Sequence, residues 1–206
     1  EDLNIAIEQA PVAYGPTKMR GTKAAAHAVL AKVYATIEPH DWSKVNEHCD
    51  AVIASGFSLL PAYESLWDGN HENSSEAIFE LDCTNWNTGG NWGSSMFVGT
   101  DWKKFNTPTH DLVDAFDAAG DVVRKKSSIK FQKISSWTDA YWDINNFPFC
   151  NKMRNTTGSQ NQIFIRLADI YLLKAEALTE LGQLDGTSGA AYYVNLVRSR
   201  VGLPAT

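Results

Sequence analysis

The stretch from Ile163 to Ala205, IFIRLADIYLLKAEALTELGQLDGTSGAAYYVNLVRSRVGLPA, decides the fold. Placed at 100° per residue, Arg166, Asp169, Glu176 and Glu180 fall in one narrow arc, while Ile165, Leu172 and other apolar residues cover most of the remaining surface. This predicts a helix buried on more than one side. Gly182 and the loop from Gly186 to Gly189 end it, and Ala190 to Arg200 form a second helix stopped by Gly202 and Pro204. Two helices joined by a short Gly-rich turn pack antiparallel, so a helical hairpin is expected over residues 161–204.

A second hairpin is expected over residues 17–56. Thr17 serves as an N-cap for an Ala-rich helix, Lys18 to Ile37, although Gly21 weakens its first turn. Asp41 to Ser55 follows, with Trp42, Val45, Cys49, Val52 and Ile53 on one face and Gly56 at its end. Pro11 and the Gly15-Pro16 pair predict an irregular lead-in over residues 1–16. Residues 57–160 have a different texture. Ala77 to Asp82 read as a strand with Phe79 and Leu81 inward, residues 85–101 are a Gly/Asn/Ser-rich loop, and Pro108 to Phe116 open a short helix ending near Gly120.

Composition narrows the function. With a net charge of −6 at pH 7, the chain has no electrostatic reason to bind nucleic acid or anionic lipid. No apolar run approaches the ~20 residues of a membrane-spanning helix. Cys49, Cys83 and Cys150 are widely spaced, with no CxxC pair, and are expected as free thiols, Cys49 on an apolar helix face and Cys83 in an apolar strand. The seven Trp stand out, because several aromatics lie in polar, Gly/Asn-rich stretches.

The pattern R-x-A-D-I-Y-L-L-x-A-E-A-L, then G, then N-x-V-R-x-R-x-G-L-P, resembles the SusD/RagB family of outer-membrane nutrient-binding lipoproteins. It is carried by Arg166, Ala168 to Leu173, Ala175 to Leu178, Gly182, Asn195, Val197, Arg198, Arg200 and Gly202 to Pro204. The S-E-A-I-F-E run at residues 75–80 and P-T-x-x-L-V-x-A-F at residues 108–116 are similar too, although an extra Val123 separates Asp121 from Arg124. The resemblance implies a mainly α fold: tetratricopeptide-like helical hairpins around a loop-rich aromatic insertion, forming part of one SusD-like domain. It further implies a glycan ligand, a SusC-like TonB-dependent transporter as partner, no catalysis and no cofactor. The location implied is the outer-membrane surface, with the membrane met only through an N-terminal lipid anchor that this chain does not carry. Beginning at Glu1 without Met, the chain reads as an internal piece, with the family's N- and C-terminal parts expected to be missing.

The residues themselves offer little catalytic chemistry. There is no His-Glu-x-x-His helix, no Gly-x-Ser-x-Gly elbow and no phosphate-cradling loop, and the five His are scattered. Glu80 and Asp82 share one strand face, which reads as solvated; Arg166, Asp169, Glu176 and Glu180 read as structural ion pairs. Asn195, Arg198 and Arg200 read as partners for carbonyls of an adjoining loop. The aromatics differ, because a sugar ring offers an apolar face to a Trp or Tyr plane while its hydroxyls bond nearby amides. Candidate ligand-binding residues are therefore Trp86, Asn87, Asn91, Trp92, Trp137, Tyr141 and Trp142. Each aromatic is also open to reading as a hydrophobic plug that pins its loop. Alternatives to a glycan binder are a protein-interaction scaffold, a binder of a non-glycan nutrient such as a peptide, and a glycan-cleaving enzyme with two converging carboxylates.

Overall fold

The computed structural model describes all residues except Trp86, residues 92–104, Trp137, Asp139, Ala140 and Thr156. Among the described residues it holds seven α-helices: α1 (Asp2–Gln9), α2 (Lys23–Tyr34), α3 (Trp42–Ile53), α4 (His110–Ala118), α5 (Val122–Ser128), α6 (Leu167–Glu180) and α7 (Ala190–Ser199). Four short strands accompany them: β1 (Ala77–Leu81), β2 (Ile129–Gln132), β3 (Phe147–Cys150) and β4 (Gln162–Arg166). Strands β1 and β4 form one antiparallel pair, β2 and β3 another. The fold is mainly α, as expected.

The two hairpins, distant in sequence, form one helical layer in the order α1, α2, α3, α6, α7. Its core joins Ala24, Ala28 and Ala31 of α2, Val45, Cys49 and Val52 of α3, and Ile170 and Ala177 of α6. The small residues of α2 let the backbones approach closely, and Ile78 and Ile165 from the β1–β4 pair close the same core. Cys49 is buried, and all three cysteines are free thiols. Lys174 is also buried here; its ammonium pairs with Asp50 at 2.9 Å, bonds Asn46 and lies 5.1 Å from the Tyr193 ring centroid. A buried amine is stable only with such partners.

Several element limits depart from the sequence reading. The lead-in is not irregular throughout, because Asp2–Gln9 is helical and ends where Ala10 turns extended ahead of Pro11. Thr22, not Thr17, caps α2 by accepting the Ala25 N–H at 3.2 Å. Thr17 instead donates to Asp82, and the Lys18 carbonyl accepts the Glu80 N–H, so residues 17–18 are tied to β1 rather than to a helix. Residues 162–166 form a strand, not the first turn of α6. Ile163, Phe164 and Ile165 are β-branched or aromatic and pair with β1, and α6 starts where the Leu167 N–H bonds the Glu76 carbonyl at 2.9 Å. In β1 itself Ala77, Ile78 and Glu80 are buried and Phe79 packs half-buried against the helical core, whereas Leu81, expected inward, is 47% exposed.

Glu76 is the node of the fold. Its fully buried carboxylate accepts from Arg166 at 2.9 Å, from Arg200 and from the Leu60 N–H at 2.9 Å. One side chain thus fastens the segment before β1, the end of β4, the end of α7 and the loop after α3. Arg198 bonds the Pro204 carbonyl at 2.9 Å and Asn195 accepts the Thr206 N–H at 3.0 Å, which folds the Gly-Leu-Pro turn back on α7. Asp169 pairs with Lys32 of α2 at 2.6 Å. Arg166, Asp169, Asn195, Arg198 and Arg200 are therefore scaffold, although Arg200 meets the Glu76 carboxylate rather than a loop carbonyl, and Glu176 and Glu180, expected in ion pairs, are exposed and make none among the described residues.

At the α2–α3 contact, His27 and His48 face each other with Nδ1 atoms 2.9 Å apart, and the Tyr34 ring stacks on His48. Burial is the main cause lowering both imidazoles; the His48 and Lys23 charges lower His27 further, and Glu47 works in the opposite direction on both. The unfolded chain protonates near pH 6.5 while the folded pair resists, so stability falls as pH drops through that value toward the lower folded ones. A His48→Gln variant is expected to lose less stability than the parent between about pH 7.5 and about pH 5.5. Equal losses in urea titrations at the two pH values would show that the pair does not couple to folding.

Candidate functional site

Helix α5 runs directly into β2, which pairs with β3 in the register Ile129↔Cys150 and Gln132↔Phe147. Neither strand follows from the polar periodicity of residues 122–150, but Phe147, Phe149 and Ile134 are each at most 1% exposed and form a small core of their own. Trp142 packs against it. The indole stacks on His110 at 3.7 Å between centroids, meets Phe131 edge-on at 6.0 Å and donates Nε1–H to the Pro108 carbonyl at 3.0 Å. His110 Nε2 in turn donates to the Tyr141 carbonyl at 2.7 Å. Trp142 is half-buried and locks the start of α4 to the β2–β3 hairpin, while the adjacent Tyr141 ring is 77% exposed.

The amide candidates lie on another loop. Asn87 is exposed in a turn where its N–H bonds the Asn85 side chain at 2.9 Å. Asn91 is buried, its N–H on the Gly158 carbonyl at 2.7 Å and its amide on the Gln160 carbonyl at 2.9 Å. It fastens the Gly/Asn-rich loop to the segment before β4. Trp86, Trp92 and Trp137 lie outside the described residues.

Beside the Trp142–His110 stack opens a groove of about 360 Å³, lined by Pro108, Leu112 and Phe116 on one wall and by Ser128, Cys150 and Lys152 on the other, with Asn106, Thr107 and Thr109 at its rim. Helix α4 has no buried residue, and Leu112 is 43% exposed. The spacing Leu112 to Phe116 places both on one helical face, which the scaffold leaves uncovered. The P-T-x-x-L-V run could have revealed this apolar face, but a groove needs the facing wall from β3, which the sequence does not announce.

The carboxylates near β1 do not form an acid–base pair open to a substrate. Asn161 donates to Glu80 at 3.0 Å and to Asp82 at 2.9 Å, so its amide fills the space between them. Asn73, whose left-handed φ of 54° suits Asn, gives its N–H to Glu80 and its amide to Asp82. The expected solvated face is thus half wrong, because Glu80 is buried and latched by amides. Burial pushes the Glu80 carboxyl above its usual range; the Asn73 N–H and the Asn161 amide oppose the shift, and Glu72 and Asp82 add to it. Among the described residues no cluster of three or more His, Cys, Asp or Glu is arranged to hold a metal ion, and no helix is long and apolar enough to cross a membrane.

Comparison with known proteins gives a consistent pattern. The family model of the SusD family matches residues 123–206. A curated relative, SusD-like protein P25 of Formosa agariphila, is 29% identical over 88% of this chain and 42% of its own length. Among solved structures, a laminarin-binding SusD-like protein superposes with a TM-score of 0.75 at 26% identity, covering 100% of this chain and 53% of its own. Surface glycan-binding protein A from Bacteroides thetaiotaomicron, solved with laminarihexaose, superposes at 0.76 with 20% identity, over 99% of this chain and 53% of its own, which shows a shared fold. The chain spans about half the length of these relatives or less.

Proposed function

We propose that this chain, which matches the SusD family model over residues 123–206, is part of a SusD/RagB-type surface protein that binds an oligosaccharide or polysaccharide without cleaving it and passes it to a SusC-like TonB-dependent transporter in the outer membrane. The observation carrying this reading is the superposition of the whole chain on a laminarin-binding SusD-like protein. The local chemistry supports it. In the sequence Trp86 and Trp92 stand among Asn85, Asn87 and Asn91, and Tyr141 turns its ring to solvent from a hairpin with its own small core. In this reading Trp86, Trp92, Trp137 and Tyr141 supply stacking planes and Asn87 bonds hydroxyls. Trp142 and Asn91 act through position, holding the two loops in place.

Titration calorimetry of the full-length protein against a polysaccharide panel, repeated with Trp86→Ala and Trp92→Ala, tests the reading. One glycan class is expected to bind, and at least one substitution to weaken it by about tenfold or more with the fold intact. Absence of binding to every glycan would overturn the proposal, and steady release of reducing ends would overturn its non-catalytic part.

A further inference from the structure

We propose that the groove between α4 and the β2–β3 hairpin is a subsite for an anionic sugar residue, a uronate or a sulfate ester, with Lys152 as its counter-ion. The inference rests on the reading of this chain as a saccharide binder and adds the class of saccharide.

The groove's chemistry is that of a sugar site. Pro108, Leu112 and Phe116 offer an apolar surface for a ring face, and Asn106, Thr107 and Ser128 offer hydroxyl and amide partners at its margins. At about 360 Å³ it has the volume of a small-ligand cleft. Among the described residues, Lys152 is the only charged side chain in this lining. Its ammonium lies 4.7 Å from the centroid of the Trp67 ring, a contact that holds the cation without neutralising it. Asp114 lies on the side of α4 opposite Leu112, and Asp117 is paired with Lys125. Among the described residues the groove's lining therefore includes one cationic side chain and no carboxylate.

A second, independent feature points the same way. Residues 122–133 carry Arg124, Lys125, Lys126, Lys130 and Lys133 with no acidic residue, in a chain whose net charge is −6. Arg124 is paired with Asp121, but Lys126, Lys130 and Lys133 are exposed and make no ion pair among the described residues. This basic segment adjoins the groove, because the Lys126 carbonyl accepts the amide of Asn151, the residue between Cys150 and Lys152, at 3.1 Å. Such a local field raises the concentration of an anionic polymer at the site and favours its charged groups over neutral ones.

The test uses the full-length protein and matched polymers. Polygalacturonate is compared with its fully methyl-esterified form, and carrageenan oligosaccharides with unsulfated agarose oligosaccharides, by calorimetry at about 50 mM and about 300 mM salt. The charged member of one pair is expected to bind about tenfold tighter or more at low salt, and the advantage to shrink at high salt. The pair that responds identifies carboxylate or sulfate as the source. Lys152→Met is expected to abolish most of that advantage, and Lys130→Glu with Lys133→Glu to weaken binding while leaving the groove wall intact. Should Lys152→Met fail to fold, the Lys130 and Lys133 double variant and the salt dependence decide the question. Equal or tighter binding of the neutral members would overturn this inference while leaving the saccharide reading standing. Binding of no saccharide would overturn both.

Discussion

Glu76→Ala is expected to destabilise the fold by about 3–5 kcal/mol, the range for removing one member of a buried charge network. The carboxylate is fully buried and holds Arg166, Arg200 and the Leu60 N–H, so truncation leaves two guanidinium groups and a backbone donor facing a void. Arg200 has a side chain only 5% exposed and cannot turn to water without moving α7. For a chain of this size the loss corresponds to a drop in melting temperature of roughly 6–20 °C. Replacing the three members together by apolar residues, Arg166→Met, Glu76→Leu and Arg200→Met, is expected to cost far less, because no charge is stranded. Urea denaturation followed by far-ultraviolet circular dichroism gives both numbers. A single variant within about 1 kcal/mol of the parent would show that Glu76 is not the node the contacts describe.

Phe147→Ala is expected to cost about 3–5 kcal/mol as well, but with a different reach. Phe147 is 0% exposed and belongs to the small cluster with Phe149 and Ile134, separate from the helical core. Its loss should open the β2–β3 hairpin as a unit, release Trp142 from His110 and leave α2, α3, α6 and α7 folded. Hydrogen exchange should then quicken over residues 129–150 while helical protection persists, and glycan binding should be lost with the circular dichroism largely unchanged. Loss of the helical signal in parallel would mean that the hairpin and the helical layer unfold as one.

The helical layer was legible because its signals are local. The face of α3, from Trp42 through Val45, Cys49 and Val52 to Ile53, follows the expected spacing, and Asp41 caps it by accepting the Lys44 N–H at 3.0 Å. Arg166, Asn195 and Arg198 were read as structural and are so, whereas Arg200 reaches the Glu76 carboxylate rather than the loop carbonyl expected of it. What stayed hidden depends on partners far along the chain. Nothing near Glu80 says that Asn73 and Asn161 will bury it, and nothing near Ile163 says that β1 will draw three residues out of a helical pattern. The β2–β3 pair escaped notice because Pro148 and Lys130 weaken the strand signal, while Phe147 and Phe149 compensate through packing. Of the candidate binding residues, Tyr141 and Asn87 are exposed, but composition could not separate these from Trp142 and Asn91, whose partners are themselves distant: Pro108 for the first, Gly158 and Gln160 for the second.

The packing of α3 against α6 also bears on how the chain is made. More than a hundred residues separate Ile53 from Leu167, so the finished α2–α3 hairpin leaves the ribosome with the α6-facing side of Val45, Cys49 and Val52 bare. At a synthesis rate of ~5–20 residues per second, that side waits roughly 5–20 s for its cover. Until Arg166 and Arg200 have also emerged, Glu76 has no counter-charge, and the interior cannot close around it. Biosynthesis of this architecture therefore passes through a half-built state with an adhesive flank, the kind of surface that holding chaperones occupy.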